Sequence, residues 1–274
     1  MNNFKIHLKI CLLLPIAILF FHPTLAQINL PTHGICAHRG AMNTHPENTI
    51  AAFEEAIRLK AQMIEFDVRM TSDKQLVILH DETVDRTTNG TGKIESFTLE
   101  EVRKLDAGSW KSADFINEKI PTFAEALAVM PDNIWLNVHL KGGRNLGKKV
   151  AEVLVRENKL NQAFVACGAK AAKGVRKISL DIKICNMERQ GNTQDYVIQT
   201  VNNENEFIQL YNVPVTKEIM SYTKSLKSSN VKINYCCTDS SDDISKLFEY
   251  GIDFVLVNEL DQTMKTIESK GTLK

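Results

Sequence analysis

The sequence predicts an α/β protein with a (β/α)8 TIM barrel, and three observations support this. Eight short apolar runs alternate with segments of helical periodicity, as expected for parallel strands that are buried on both faces. The 274 residues contain no repeat and no Pro/Gly/Ser-rich linker that would divide the chain. Without an expected leader of 26 residues, about 248 remain, which is close to the usual length of such a barrel.

The first 26 residues are expected to form a signal peptide. Basic residues precede the apolar run CLLLPIAILFF, and Thr24 and Ala26 occupy the small-residue positions of a cleavage site. A transmembrane anchor is the alternative, but the run is short for a span and contains Pro15. The sequence therefore predicts an exported protein, periplasmic or secreted. Its mature domain would be residues 27–274, without stable membrane insertion.

Charge and composition argue against two classes of protein. The 33 basic and 33 acidic side chains give a net charge of zero, which argues against binding nucleic acid by phosphate neutralisation. The chain has 43% hydrophobic and 24% charged residues, which is a globular composition and not a disordered one. Composition leaves the oligomeric state open.

Five cysteines follow the expected leader, and most of them stand in apolar, strand-like runs. We expect them to be small buried hydrophobic residues. No CxxC pair indicates a zinc site, and spacing assigns no disulfide among them. These cysteines are Cys36, Cys167, Cys185, Cys236 and Cys237.

The predicted strands and helices alternate along the chain. The eight barrel strands are predicted at Ile35–His38, Met63–Val68, Ile134–Leu140, Phe164–Cys167, Ile182–Cys185, Phe207–Tyr211, Lys232–Cys236 and Asp253–Val257. Helices are predicted at Thr49–Lys60, Thr122–Met130, Asn145–Glu157, Thr216–Lys227 and Ser241–Tyr250. The first helix has apolar residues at helical spacing and Asn48 or Thr49 as its N-cap.

One strand-like segment, Leu76–His80, does not fit the barrel. Only seven residues separate it from Val68. A parallel crossover needs a dozen or more residues, so the two segments must form an antiparallel hairpin. The turn-rich stretch that follows is expected to complete a small subdomain over one edge of the barrel. The predicted insertion therefore occupies about residues 71–118.

Several polar residues stand at the ends of predicted strands, where barrel enzymes have their active sites. Glu65 and Asp67 are two residues apart, so they share one face, and a hard cation such as Ca²⁺ or Mg²⁺ would offset their repulsion. Alternatively, the pair faces solvent or is neutralised by Arg69 or Lys141. His139 precedes Lys141 with the same spacing. It would be either a third metal ligand or a core histidine bonded to a backbone carbonyl.

Two further histidines, His38 and His80, also stand at strand ends. Such a pair can serve as base and acid because both titrate near neutral pH, although either could simply cap its strand. Arg39, beside His38, could bind a phosphate through two hydrogen bonds. Asp81 would either orient His80 or pair with Arg86.

These residues belong to a pattern that resembles the glycerophosphodiester phosphodiesterase family. The resemblance covers about a third of the chain, and the order and spacing of its segments match the family. The matching segments are HRG (38–40), PENT (46–49), EFDV (65–68), TxD (71–73), HD (80–81), DRTTNGTG (85–92), LDAGSW (105–110) and IPTFAEAL (120–127).

The resemblance implies a barrel hydrolase with one divalent metal ion, Ca²⁺ or Mg²⁺, that cleaves small glycerophosphodiesters to glycerol 3-phosphate and an alcohol. In the family mechanism the neighbouring glycerol hydroxyl attacks phosphorus, and water then opens the cyclic phosphate. The implied roles are base and acid for His38 and His80, phosphate contacts for Arg39 and Lys141, and metal ligands for Glu65 and Asp67.

The later part of the chain departs from the family pattern. His139 stands where the family has a metal-binding glutamate, which removes one negative charge and makes Mn²⁺ or Zn²⁺ more competitive. Cys236 replaces a tryptophan, and residues 165–172 and 253–260 lack the residues usual there. The alternative function is therefore a weak or inactive barrel that binds phosphodiester or phospholipid head groups. Residues 46–49 are expected to begin the first helix without taking part in chemistry.

Overall fold

The computed structural model describes residues 29–189 and 191–271, so the expected signal peptide lies outside the described residues. Within these two ranges, nine β-strands and nine α-helices follow one another. The strands are β1 (Gly34–His38), β2 (Met63–Met70), β3 (Leu76–Ile78), β4 (Trp135–Leu140), β5 (Ala163–Cys167), β6 (Lys183–Asn186), β7 (Phe207–Tyr211), β8 (Lys232–Cys236) and β9 (Phe254–Val257). The helices are α1 (Ile50–Arg58), α2 (Leu99–Val102), α3 (Phe123–Val129), α4 (Arg144–Arg156), α5 (Ala169–Val175), α6 (Thr193–Asn202), α7 (Ile219–Ser228), α8 (Ser241–Glu249) and α9 (Leu260–Ser269).

Eight of these strands form a closed parallel barrel. Their hydrogen-bonded order is β1, β9, β8, β7, β6, β5, β4 and β2, and the pairing of β1 with β2 closes the ring. The remaining strand, β3, pairs antiparallel with β2 and lies outside the ring. The predicted (β/α)8 barrel with an inserted hairpin is therefore confirmed, and the eight predicted strands end within about two residues of the observed bounds.

Alternate residues of each strand face the barrel interior or the surrounding helices. On β2, Ile64 and Phe66 join the core between barrel and helices, whereas Met63 joins a separate cluster inside the barrel. The inner cluster is largely aromatic, and the rings of Phe164 and Phe207 stack with centroids 3.9 Å apart. Each fully buried phenylalanine contributes about 1.5–3 kcal/mol. Apolar side chains thus fill most of the barrel interior, with the buried amides of Asn137 and Asn234 among them, and the charged side chains of the site lie at the carboxyl ends of the strands.

Local sequence explains where several helices begin. Thr49 caps α1 by accepting a hydrogen bond from Ala52 N, as predicted for this position. Thr98 and Thr122 each form a capping box with a glutamate three residues later, at the starts of α2 and α3. Between α4 and α5, Gly147 allows close contact, because a Cβ there would lie 2.2 Å from the carbonyl oxygen of Ala171.

The insertion after β2 has a small hydrophobic core of its own. Two contacts attach it to the barrel rim: the Arg69 guanidinium donates two hydrogen bonds to His80 O, at 3.0 and 2.7 Å, and Lys111 Nζ donates to Met42 O at 2.8 Å. The insertion therefore holds the end of the hairpin over the barrel mouth. Its core consists of Val77, Leu79, Val84, Ile94, Val102, Ala107 and Ile120.

The cysteines fall into two groups. Cys36, Cys167 and Cys185 are buried free thiols, as the sequence predicts. Cys236 and Cys237 are disulfide-bonded to each other at the end of β8, a pairing that spacing alone did not assign. Across the described ranges, no helix combines the length and apolar character that a membrane span requires.

Candidate active site

Strand pairing brings together the side chains at the barrel mouth. His38 on β1 is the register partner of Glu65 on β2, and Asp67 on β2 is the partner of His139 on β4. Paired residues of parallel strands share a face, so these four groups converge. The His38 Nε2–Glu65 Oε2 distance is 3.8 Å. His139 Nδ1 lies 3.4 Å from Glu65 Oε1 and 3.3 Å from Asp67 Oδ1.

A tight turn after β1 places Arg39 beside this cluster. Arg39 and Gly40 have φ angles of 54° and 79°, and a Cβ on Gly40 would lie 2.8 Å from backbone atoms of Ala52, so glycine is required there. Arg39 N donates to Glu65 Oε2 at 3.1 Å. Arg39 Nε is buried, lies 3.5 Å from Asp67 Oδ2 and hydrogen-bonds to no described residue. The guanidinium is therefore held at the site with one donor unused.

A chain of ionic contacts links Arg39 to His80. Buried Glu47 accepts from Arg39 Nη1 at 2.8 Å and from both terminal nitrogens of Arg86, each at 2.8 Å. Arg86 Nε donates to Asp81 Oδ2 at 2.7 Å, and Asp81 Oδ1 lies 2.6 Å from His80 Nδ1. Asp81 thus contacts both of the partners that the sequence offered as alternatives. Burial raises the pKa of Glu47, but the two arginines outweigh it and lower the pKa below its usual value.

The PENT segment, residues 46–49, has a larger role than the sequence predicted. Thr49 begins α1 as expected, but Glu47 joins the ionic chain just described. Asn48 donates to Asp67 Oδ2 at 2.9 Å and accepts from Asp67 N at 3.2 Å. The expectation that this segment serves only to begin the helix is therefore incomplete. It also positions Arg39 and one of the two carboxylates.

Asp67, His139 and Lys141 form a tightly packed group of charges. Lys141 Nζ lies 3.1 Å from Asp67 Oδ1 and 3.2 Å from His139 Nδ1. Burial raises the pKa of Asp67, but His139, Lys141 and His80 outweigh it and hold the pKa well below its ordinary value. Burial lowers the pKa of His139, but Asp67 and Glu65 outweigh it and the net shift is upward. Lys141 is thus close enough to neutralise Asp67, whereas the Arg69 side chain is directed to the hairpin.

Glu65, Asp67 and His139 have the arrangement of a cation site. Each offers one ligand atom, and these three atoms lie within 4.8 Å of one another. Asp67 Oδ1 is buried and meets hydrogen-bond geometry with no described residue, although Lys141 Nζ lies 3.1 Å and His139 Nδ1 3.3 Å from it. Two adjacent buried carboxylates repel each other, and a divalent cation between them would offset that repulsion. The donor set therefore fits a metal ion, with His139 as third ligand.

The two remaining histidines have different partners. His38 Nδ1 lies 2.7 Å from Asn258 Oδ1, a residue that sequence reasoning missed. It directly follows β9 and is 220 residues away in the chain, so no local signal connects it to His38. His80 has the Asp81 carboxylate as its partner. Burial lowers the pKa of His80, and Asp67 and Asp81 oppose this only in part, so the pKa stays below its ordinary value.

All seven candidate residues line one open cavity of about 490 Å³ at the carboxyl ends of the strands. They are His38, Arg39, Glu65, Asp67, His80, His139 and Lys141. The rest of the lining comes from the later strands and consists of Arg189, Gln209, Tyr211, Asn212, Cys236, Cys237, Leu256 and Asn258. Apart from Cys236, sequence reasoning gave none of these residues a place in the site.

A parallel barrel with acidic, imidazole and guanidinium groups around a cavity at this end has the architecture of a barrel enzyme. Residues 38–262 match the model of the Glycerophosphoryl diester phosphodiesterase family. A glycerophosphodiester phosphodiesterase of Caldanaerobacter subterraneus subsp. tengcongensis is 31% identical over 243 residues, which is 86% of this chain and 98% of the relative. The chain belongs to this family, whose members are phosphoric diester hydrolases.

Two further proteins are similar to this chain. The Bacillus subtilis protein YhdW is 54% identical over 108 residues, an alignment that spans 39% of this chain and 44% of the relative. The crystal structure of an Oleispira antarctica phosphodiesterase in complex with sn-glycerol-3-phosphate superimposes with a TM-score of 0.73 at 23% identity, covering 86% of this chain and 96% of that one. This second similarity establishes the shared fold.

Proposed function

We propose that this protein is a metal-dependent phosphodiesterase that hydrolyses glycerophosphodiesters to glycerol 3-phosphate and an alcohol. The observation that carries this proposal is that two histidines, two cationic side chains and a three-residue cation site line a single cavity. The family assignment supports the reaction class. The sn-glycerol-3-phosphate bound by the Oleispira relative supports the product.

Arg39 and Lys141 are the groups proposed to bind the phosphate. Arg39 lines the cavity and Glu47 binds it through Nη1, so guanidinium N–H groups that Glu47 does not use can donate to a phosphate oxygen. Lys141 adds a second positive charge from the opposite side of Asp67. Both cations would also offset the negative charge that grows on the non-bridging oxygens during displacement.

His38 is assigned as the base and His80 as the acid. If His38 Nδ1–H donates to Asn258 Oδ1, the lone pair lies on Nε2, which can take the proton of the glycerol hydroxyl. That hydroxyl oxygen then bonds to phosphorus as the bond to the leaving alcohol breaks. The Asp81 carboxylate stabilises a protonated His80, which donates its proton to that alcohol. Water afterwards opens the cyclic phosphate to glycerol 3-phosphate, with the same two histidines exchanging roles.

Glu65, Asp67 and His139 would hold a divalent ion, in keeping with the family's general use of one. When bound, the ion would neutralise charge on the phosphate and lower the barrier to displacement. An imidazole in place of a third carboxylate makes Mn²⁺ or Zn²⁺ competitive with Ca²⁺ and Mg²⁺.

The apolar N-terminal segment supports export as part of this proposal, with function in the periplasm or outside the cell. Expression of the full chain followed by mass spectrometry of the exported protein tests it. The expected mature N-terminus is Gln27. Retention of the intact leader on a protein found only in the cytoplasm contradicts it.

Release of glycerol 3-phosphate from purified protein tests the reaction, with Ca²⁺, Mg²⁺, Mn²⁺ and Zn²⁺ compared. We expect His38→Ala and His80→Ala to lower kcat about 10²–10⁴-fold. His33→Ala is the matched control, because that ring contacts Thr32 and Phe248 and does not line the cavity.

A substrate with p-nitrophenol as its alcohol separates the two roles. This leaving group departs readily without a proton, so His80→Ala should release p-nitrophenolate at most of the wild-type rate, while His38→Ala should not. Equal losses for both variants would contradict the assignment of acid and base.

A barrel that only binds head groups is the second candidate, and His139 in place of a carboxylate favours it. It predicts binding of glycerophosphodiesters without turnover under any of the four metals. Turnover with at least one metal excludes it.

A further inference from the structure

We propose that Gln209, Arg189 and Tyr211 form a subsite for an anionic, hydroxyl-bearing head group on the far wall of the cavity. The inference rests on the proposed function, because it assigns the alcohol that leaves the phosphodiester. Neither the family motifs nor the cation site assigns a role to these three residues.

Strand order places these residues across the mouth from the reacting groups. In the ring of eight strands, β7 is four positions from β2, and β6 is four positions from β1. Gln209 and Tyr211 on β7 therefore lie opposite Glu65 and Asp67. Arg189 follows β6 and lies opposite His38. A substrate whose phosphate contacts the first side extends its other end toward the second.

Gln209 lines the cavity, and its side-chain amide has no partner among the described residues. The residue is only 5% exposed and lines the cavity. Its backbone carbonyl accepts from Tyr196 Oη at 3.3 Å, but its side-chain amide hydrogen-bonds to no described residue. A primary amide can both donate and accept hydrogen bonds. The hydroxyl groups of a ligand can supply both kinds of partner at once.

Arg189 and Tyr211 form a cationic rim above this amide. The guanidinium carbon of Arg189 lies 5.0 Å from the centroid of the Tyr211 ring. No carboxylate of the described residues is within ion-pair distance of Arg189, and the neighbouring Glu188 carboxylate accepts a hydrogen bond from Ala169 N. A guanidinium stacked on a ring keeps its edge N–H groups available for a phosphate or carboxylate.

The same contact argues against a quaternary ammonium head group. A choline-type cation binds proteins through the faces of aromatic rings. Here Arg189 already contacts the Tyr211 ring, so an incoming cation would meet a positive charge. The wall therefore combines an amide for hydroxyl groups with a guanidinium for a negative charge, and it favours an alcohol that carries both.

Three glycerophosphodiesters that differ in head-group charge test this subsite. They are glycerophosphocholine, glycerophosphoglycerol and deacylated cardiolipin, whose leaving alcohol carries a second phosphodiester. We expect wild-type kcat/KM to be at least about tenfold higher for deacylated cardiolipin than for glycerophosphocholine, the size of one charge-assisted hydrogen bond. Arg189→Gln should lose about tenfold on deacylated cardiolipin, mainly in KM, and little on glycerophosphoglycerol.

A control variant outside the cavity accompanies this measurement. Arg156→Gln removes an exposed arginine at the end of α4 that does not line the cavity, and it should leave kcat/KM unchanged on all three substrates. Equal losses on all three substrates with Arg189→Gln would assign that residue a structural role and overturn the proposal, as would a wild-type enzyme indifferent to head-group charge.

Binding separates this inference from the proposed function. If no substrate is turned over, the proposed function fails, and calorimetry with deacylated cardiolipin still tests the subsite. Weaker binding to Arg189→Gln than to wild type supports it. Equal binding, or none to either protein, overturns it.

Discussion

Replacement of Glu47 by glutamine measures how much of the site depends on one buried carboxylate. Glu47 is 6% exposed and accepts three hydrogen bonds of 2.8 Å, one from Arg39 and two from Arg86. Glutamine keeps the shape but removes the charge and turns one acceptor into a donor. The two guanidinium groups would then face each other without the carboxylate between them, and Arg86 would keep only Asp81 as its carboxylate partner.

The expected cost follows from burial. Removing one partner of a buried ion pair costs about 3–5 kcal/mol, because the other charge is left uncompensated. The Arg86 side chain is 45% exposed and can turn toward water, which places Glu47→Gln near the lower end, at about 3 kcal/mol of unfolding free energy. Arg39 is only 14% exposed and has less freedom to relocate. Phosphate affinity should therefore fall as well.

The pH dependence of this effect has a definite sign. Because the two arginines lower the pKa of Glu47 in the folded protein, its carboxylate stabilises the fold above the unfolded-state pKa of about 4.3. That contribution is lost as the pH falls through the folded-state pKa. The stability difference between wild type and Glu47→Gln should thus be largest near neutral pH and should shrink below about pH 4.

Urea unfolding at several pH values provides the measurement. The matched control is Glu55→Gln, because Glu55 also binds an arginine, Arg58, through two hydrogen bonds of 2.6 Å, but Arg58 is 67% exposed. The control should lose less than about 1 kcal/mol. Equal losses for both variants, or a Glu47→Gln effect that is constant from pH 3 to pH 7, would refute the reasoning.

Three further predictions concern other parts of the molecule. His139→Glu should shift the preference toward Ca²⁺ or Mg²⁺ in metal titrations by calorimetry, and an unchanged preference would show that His139 is not a ligand. Gly147→Ala should lower stability by about 1–3 kcal/mol in thermal unfolding, because its Cβ would meet a carbonyl oxygen of α5 at 2.2 Å. Gly143→Ala, with no atom within 4 Å of its Cβ, should be nearly neutral. Asn258→Ala should lower kcat more than it changes KM, since His38 loses its partner, and a pure KM effect would argue against this positioning role.

Local sequence predicted the barrel because parallel strands buried on both faces leave continuous apolar runs. The same logic located the hairpin, since seven residues cannot make a parallel crossover. The helices were predicted less completely than the strands. α5 has only seven residues and lacks a long apolar stripe. It packs against α4 through Gly174, where a Cβ would lie 2.0 Å from Arg144 O. Close contact between the two helices therefore explains why α5 forms. α6 and α9 also went unpredicted.

The sequence by itself determined the fold class, the insertion and the set of seven polar residues. Apolar periodicity indicated the fold class, and segment length indicated the insertion. Motifs at the strand ends indicated the polar residues. Only the tertiary structure decided which partner each side chain has. His38 contacts Asn258, and Glu47 links Arg39 to Arg86. Gln209 lies on the opposite side of the barrel mouth from Glu65 and Asp67. The physical reason is closure of the barrel, which brings residues that are far apart in sequence to one rim. Their distances and their protonation depend on these long-range contacts, which local sequence patterns do not contain.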